Sequence, residues 1–233
     1  MFTVEVAKLR IGIDNKYQWV QKQCADYIVD DSQVDFTVSV TEDEIARESS
    51  VSTRPFSDAY CESVCIYRKI CHMLPQYNAF LLHAAVVECD GESYAFVAPS
   101  GTGKSTHASL WCKCFGDRAR IINGDKPIIR FFDDGKVWVY GTPWCGKEGY
   151  NINTSSPLKS VCFINRGEDN YITSFAGSEM VSRLITQVLI PEDVANIIRL
   201  TALLDRLVKA VPCYMLTCNM DLSAAIVAYE GMQ

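Results

Sequence analysis

No stretch of this chain approaches the roughly 18 consecutive apolar residues that a membrane span requires. The first ten residues carry Glu5, Lys8 and Arg10 and lack an apolar signal core, so a cytoplasmic protein with no membrane partner is expected. No run of Lys and Arg is present and the formal net charge is −6, which argues against an electrostatically held nucleic acid. Internal repeats and low-complexity tracts are also lacking. Paired metal-type cysteine spacing is missing as well: Cys61 and Cys65, or Cys112 and Cys114, have no matching second pair. The eleven cysteines therefore read as reduced, small core residues rather than a disulfide framework. What the chain does have is apolar content. With 48% hydrophobic residues over 233 positions it can bury a sizeable core. It reads as a domain over 57–233 with an α/β add-on over 1–56, or as one continuous domain.

Patterning predicts strands over Thr3–Ile13 and Val34–Val40. Thr41-x-x-Glu44 has the form of a capping box opening a short helix, and Glu48–Pro55 reads as a polar loop. Apolar residues at spacings of three and four predict a helix over Asp58–Leu74, ended by Pro75. Ala79–Cys89 and Glu92–Ala98 read as a hairpin about Asp90-Gly91. A helix over Lys104–Phe115 stops at Gly116. Further strands are predicted at Ala119–Asn123, Ile128–Phe132, Lys136–Tyr140 and Leu158–Asn165. The last third reads as helices over Ser178–Leu189 and from Pro191 onward, a strand at Cys213–Cys218, and a helix over Asp221–Tyr229.

Between the second hairpin strand and its helix lies Ala98-Pro99-Ser100-Gly101-Thr102-Gly103-Lys104-Ser105. This is a phosphate loop: (Ala/Gly)-x4-Gly-Lys-(Ser/Thr) after a strand and before a helix. Gly101 and Gly103 allow the backbone to turn its amides inward around phosphate oxygens, with Ser100 before them and Thr102 between them. The new helix presents its positive end to the same ligand. Lys104 is placed to reach the β- and γ-phosphates, Ser105 to hold Mg²⁺, and Thr106 to touch the α-phosphate. A nucleoside triphosphate with Mg²⁺ is therefore expected.

Common phosphate-loop proteins alternate strand and helix around a parallel sheet. Here an antiparallel hairpin leads into the loop and another follows, which implies a mixed, largely antiparallel sheet with helices packed on it. Leu82-His83-Ala84-Ala85-Val86 through Ser105, with His83 placed 21 residues ahead of Lys104, resembles the core of the HPr kinase/phosphorylase family. That family shares its fold with phosphoenolpyruvate carboxykinase. The resemblance implies a kinase-type core, ATP as the nucleotide, and phosphoryl transfer to a hydroxyl. It makes Asp125, in Ile121-Ile122-Asn123-Gly124-Asp125, the general base and a metal ligand with Ser105. It gives His83 the task of holding the γ-phosphate or tuning Asp125, and it points to a homo-oligomer. Read locally, Asp125 is also a turn residue before Lys126-Pro127, and His83 is one polar residue on an apolar strand.

Two departures stand out. Gly124 replaces the first acid of the family's acidic pair, and Tyr140–Gly149 replaces the Arg-Gly-x-Gly loop used on the protein substrate. HPr itself and a phosphorylase activity are not implied. Within 140–149, Lys147 is a candidate for neutralising charge and Trp144 for lining an acceptor pocket. Arg130 and Arg166 are candidate phosphate clamps, or surface salt-bridge partners. His107 reads as a surface or packing residue, and His72 as a cation at a helix C-terminus. The acceptor stays open among a protein serine, a peptide and a small metabolite. Two rival readings also stay open: a non-catalytic nucleotide-binding regulator, motivated by Gly124, and an ATPase module coupled to a partner.

Overall fold

The computed structural model describes residues 1–30, 33–51, 55–175 and 178–233. The architecture is α/β with mixed sheets. The first strand predicted from the sequence is in fact two, β1 (Phe2–Val6) and β2 (Leu9–Asp14), paired antiparallel. Ala7 and Lys8 join them, both at positive φ (54° and 57°). This is the conformation of a two-residue hairpin turn, without the Asn-Gly or Asp-Gly that would announce it. A short helix α1 (Gln18–Gln23) follows, then β3 (Phe36–Ser39), parallel to β2. Helix α2 (Glu42–Val51) opens on the capping box: Glu44 accepts from the Thr41 N–H at 2.8 Å and Thr41 Oγ1 from the Glu44 N–H at 3.3 Å. The helix thus runs through the first part of the expected 48–55 loop; residues 52–54 of that segment lie outside the described residues. Helix α3 (Asp58–Met73) is capped by Ser57.

The long strand expected at 79–89 is broken into β4 (Ala79–Leu81) and β5 (Ala84–Cys89). β4 pairs with β8, whereas β5 pairs with β6 and β7, so the chain changes neighbours at Leu82-His83. The remaining elements are β6 (Glu92–Val97), α4 (Lys104–Phe115), β7 (Ala119–Asn123), β8 (Ile128–Phe131), β9 (Val137–Tyr140) and β10 (Ser155–Arg166). They are followed by β11 (Tyr171–Ser174), α5 (Ser178–Ile185), α6 (Val194–Ala210), β12 (Cys213–Cys218) and α7 (Ser223–Gly231). The nine-stranded sheet runs β4-β8-β9-β10-β6-β5-β7, with β12 parallel to the far half of β10 and β11 antiparallel to β12. Helix α5 ends before the predicted Leu189 because Gln187 and Val188 pair with His83 and Leu82 instead. Helix α6 begins after Pro191, where Asp193 caps the Asn196 N–H at 2.8 Å.

Both sheet faces are covered, which is why β5 is apolar over Ala84–Val87 rather than alternating. Ala84 and Val86 face α5 and α6 in one core; Ala85, Val87 and Cys89 face α4 and α7 in another. A third core joins the N-terminal sheet, α1 and α3 to Ile128, Tyr140 and Trp144. The 1–56 segment therefore shares a core with the rest of the chain. The cysteines are free thiols, eight of them buried. Among the described residues, no helix is long and apolar enough to cross a membrane.

Candidate functional site

The phosphate loop leaves β6 at buried Ala98 and enters α4 at Lys104. Gly101 and Gly103 sit at φ 79° and 124°, backbone positions open to glycine and strained for other residues. The Lys104 ammonium is buried and donates to the Ala98 carbonyl at 2.8 Å. Burial lowers its pKa, while the charge of Asp125 works the other way. From the end of β10, Arg166 Nε donates to the Thr102 carbonyl at 2.8 Å and Nη2 to that of Gly101. Arg166 thus braces the loop's own backbone.

His83 faces the loop from the break between β4 and β5. Its N–H donates to the Gln187 carbonyl at 2.7 Å, and Nδ1 lies 3.2 Å from Gln187 Oε1. Its other ring nitrogen, Nε2, is 3.0 Å from Asp125 Oδ1. Asp125 is fixed from behind by Asn123, which is fully buried at the end of β7. Asn123 Oδ1 accepts from the N–H groups of Asp125 (2.9 Å) and Lys126 (2.7 Å). Its Nδ2 donates to the carbonyls of Thr142 (3.1 Å) and Trp144 (3.2 Å), tying the 123–126 turn to the 141–150 segment. Lys126 Nζ contacts Asp125 Oδ2 and lies 5.6 Å above the Tyr67 ring. Burial alone would raise the Asp125 pKa; the hydrogen bonds from His83 and Lys126 and the Lys126 charge outweigh it and hold the carboxyl well below its usual range. Asp125 is ionised at neutral pH.

A cavity of about 420 Å³ brings these parts together. Its wall includes Ser100, Gly101, Gly103, Lys104, Ser105 and Thr106 from the loop, with His83 and Asp125 opposite. Lys147 and Glu148 close one side; the Lys147 side chain is 90% exposed and 3.8 Å from Glu148. Thr102 faces a neighbouring cavity instead. His83 also lines an adjoining groove with Tyr67, Leu81, Lys126, Gln187 and Leu189.

Arg166, like Thr102, lines the neighbouring cavity, and two further candidates line neither. Trp144 is buried in the N-terminal core, with its indole N–H on Ser63 Oγ at 3.1 Å and its ring 6.1 Å from that of Tyr67. It lines neither the phosphate-loop cavity nor the adjoining groove, because its ring is packed into that core. Arg130 lies on β8 facing the N-terminal hairpin, where it donates to the Ala7 carbonyl and stacks on Phe132. His72 has its pKa lowered by burial, and its carbonyl accepts from Asn196. Lys126, Asn123, Gln187 and Glu148 were not singled out from the sequence; only Asn123, preceding Gly-Asp at a strand end, carries a turn signal that would have found it.

Among the described residues, no three His, Cys, Asp or Glu side chains gather into a metal cluster. The residues lining the cavity include the hydroxyls of Ser100, Ser105 and Thr106 and the carboxylates of Asp125 and Glu148, oxygen chemistry suited to a hard divalent ion that keeps water and phosphate ligands. Gly124 is close to its neighbours: a Cβ there would lie 3.3 Å from both the Cys145 carbonyl oxygen and Tyr150 Cβ. A side chain at this position would press on the 141–150 segment.

Comparison with known proteins gives a family match. The model of the family described as SynChlorMet cassette protein ScmC matches residues 59–223. No curated protein matches. Among solved structures, the HPr(Ser) kinase/phosphatase from Coxiella burnetii is similar over 65% of this chain and 95% of its own, at 8% identity and a TM-score of 0.38.

Proposed function

The chain belongs to the SynChlorMet cassette protein ScmC family, and we propose that it is a kinase of the HPr-kinase-like, phosphate-loop type, moving the γ-phosphoryl group of ATP to a hydroxyl. The observation that carries this reading is one cavity with Lys104 and Ser105 on one wall and the His83–Asp125 pair on the other. Phosphoryl transfer asks little covalent work of a protein; it asks for positioning, charge neutralisation and a group to take the hydroxyl proton.

Each need has a residue. Loop amides and Lys104 hold the triphosphate. The acceptor enters through the groove that shares His83 with the phosphate cavity. Its hydroxyl oxygen attacks the γ-phosphorus as the bond to the bridging oxygen breaks, ADP leaves, and the proton passes to Asp125. Held ionised by His83 and Lys126, Asp125 takes that proton only once the new P–O bond has made the hydroxyl acidic, which suits a loose transition state. Lys126 and Lys147 bring positive charge to the two rims. A divalent ion, held by Ser105 and Asp125 with Glu148 standing in for the acid missing at Gly124, would screen the phosphate charge.

The test is transfer of label from γ-labelled ATP, with Mg²⁺ and cell extract, beside an Asp125→Asn variant. A labelled acceptor that disappears with the variant is the expected result. Tight ATP binding with no labelled product overturns the kinase and leaves a nucleotide-binding regulator. Release of labelled phosphate alone leaves an ATPase module.

A further inference from the structure

The segment that brings Lys147 and Glu148 to the phosphate cavity is tied on both sides to the N-terminal part of the chain. On one side Gln23, the last residue of α1, donates from Nε2 to the Pro143 carbonyl at 3.2 Å. On the other, Asn153 Nδ2 donates to the Asp26 carbonyl at 2.7 Å. Gln23 is also bound to α3. Ser63 Oγ donates to Gln23 Oε1 at 2.6 Å and accepts from the Trp144 indole N–H at 3.1 Å. Gln23, Ser63, Trp144 and Pro143 thus form a closed ring between α1, α3 and the 141–150 segment. Ser63 and Trp144 are buried. Beside Ser63, the fully buried Glu62 accepts from the N–H groups of Lys16 and Tyr17 and fixes the entry to α1.

The direction of every hydrogen bond in this ring is forced. An indole nitrogen only donates and a carbonyl oxygen only accepts. Ser63 Oγ therefore takes the indole hydrogen and gives its own to Gln23 Oε1. That leaves the Gln23 amide NH₂ facing the Pro143 carbonyl. The position calls for a side chain with one acceptor and one donor, which is what a glutamine carries.

The ring lies one step from the proposed chemistry. The Trp144 carbonyl accepts from Asn123 Nδ2, and Asn123 Oδ1 accepts from the N–H groups of Asp125 and Lys126. Two residues past Trp144, Gly146 lies directly against Asp125: a Cβ there would be 3.0 Å from Asp125 Cβ. A shift of the chain at 143–144 therefore reaches Asp125 by two routes, through Asn123 and through Gly146. The phosphate loop is held separately, by Arg166 from β10.

Resting on the reading of Asp125 as the group that takes the acceptor proton, we propose that Gln23 is a positioning residue for phosphoryl transfer. It holds Pro143 and, through Ser63, Trp144; these hold the 141–150 segment; and that segment holds Asp125 against His83. The N-terminal part of the chain is then a support of the site as well as a share of the core. A misplacement of about 1 Å at a reacting group can cost about 10²-fold in rate, so the partial shift left by an open ring should cost on the order of tenfold.

The test uses two variants close in size to the native residue. Gln23→Met removes the donor, and Gln23→Glu sets a second acceptor against the Pro143 carbonyl. Label transfer from γ-labelled ATP, with Mg²⁺ and cell extract, is followed from limiting to saturating ATP. In both variants the maximal rate should fall about tenfold, while the ATP concentration for half-maximal rate stays within about twofold. An unchanged maximal rate, or a rise in the half-maximal ATP concentration that matches the loss of rate, overturns the inference and leaves the kinase reading standing. A second measurement needs no acceptor. The ring resonances of His83 report its contact with Asp125; they should move in both variants, while those of His107 on α4 stay in place. Unmoved His83 resonances, or an equal response from His107, overturn the inference. A wild-type chain that transfers no label removes the kinase reading, and the His83 resonances then decide whether Gln23 places Asp125.

Discussion

The Nε2 atom of His83 lies 3.0 Å from Oδ1 of Asp125, although one residue sits at a strand break and the other in a turn after β7. The break makes this possible: Leu82 N–H donates to the Pro127 carbonyl at 3.1 Å and Ala84 N–H to that of Asp125 at 3.2 Å, drawing the turn against the strand. His83→Gln should therefore lower phosphoryl transfer by on the order of 10²-fold while leaving ATP affinity within about twofold. Steady-state rates beside calorimetry separate the two; a matching loss of affinity would reassign His83 to nucleotide binding.

Lys104 makes a hydrogen bond to Ala98 and is otherwise set toward the phosphate cavity. Lys104→Ala should weaken triphosphate binding about 10- to 100-fold, the scale of a charge-assisted contact. The melting temperature without nucleotide should change little. Unchanged ATP affinity by calorimetry would remove the basis for the proposed function.

Asn123 is the residue on which the turn and the 141–150 segment both hang. Asn123→Ala leaves the backbone N–H groups of Asp125 and Lys126 without their acceptor, while the Thr142 and Trp144 carbonyls keep Asn151 Nδ2 and Thr142 Oγ1, and should destabilise by roughly 2–4 kcal/mol. Urea denaturation measures this. Transfer activity should fall with it, even at temperatures where the variant is folded, because Asp125 loses its support.

His107 predicts a pH dependence of stability. Its pKa is lowered from 6.5 to about 4 by burial. The unfolded chain takes up the proton first, so the contribution is complete above about pH 6.5 and is lost as the pH falls toward about 4, at up to about 1.4 kcal/mol per pH unit. His107→Phe should flatten the stability curve across that window, whatever it costs at pH 7. A parallel curve for the variant would assign the acid sensitivity to other groups.

Much of the phosphate loop was legible because its requirements are local: a strand, two glycines at positive φ, a lysine and a helix start within a dozen residues. The capping box at Thr41 and Glu44 and the helix over 58–73 were legible for the same reason. The hairpin at Ala7-Lys8 was hidden, because its two residues adopt positive φ without glycine or asparagine. The break at Leu82-His83 was hidden too: an apolar run covered on both faces looks the same whether it is one strand or two.

What the sequence by itself determined was the glycine-rich strand–loop–helix at Lys104, the helical faces and a largely antiparallel pairing around the loop. These depend on residues a few positions apart. Tertiary structure alone decided that Lys126 and Gln187 would flank the His83–Asp125 pair, and that Glu148 would line the same cavity as Ser105. It also turned Trp144 into the core and set Arg130 on Ala7. Each of these depends on strand order and long-range register, which arise from packing the whole sheet and leave no mark in the neighbouring residues.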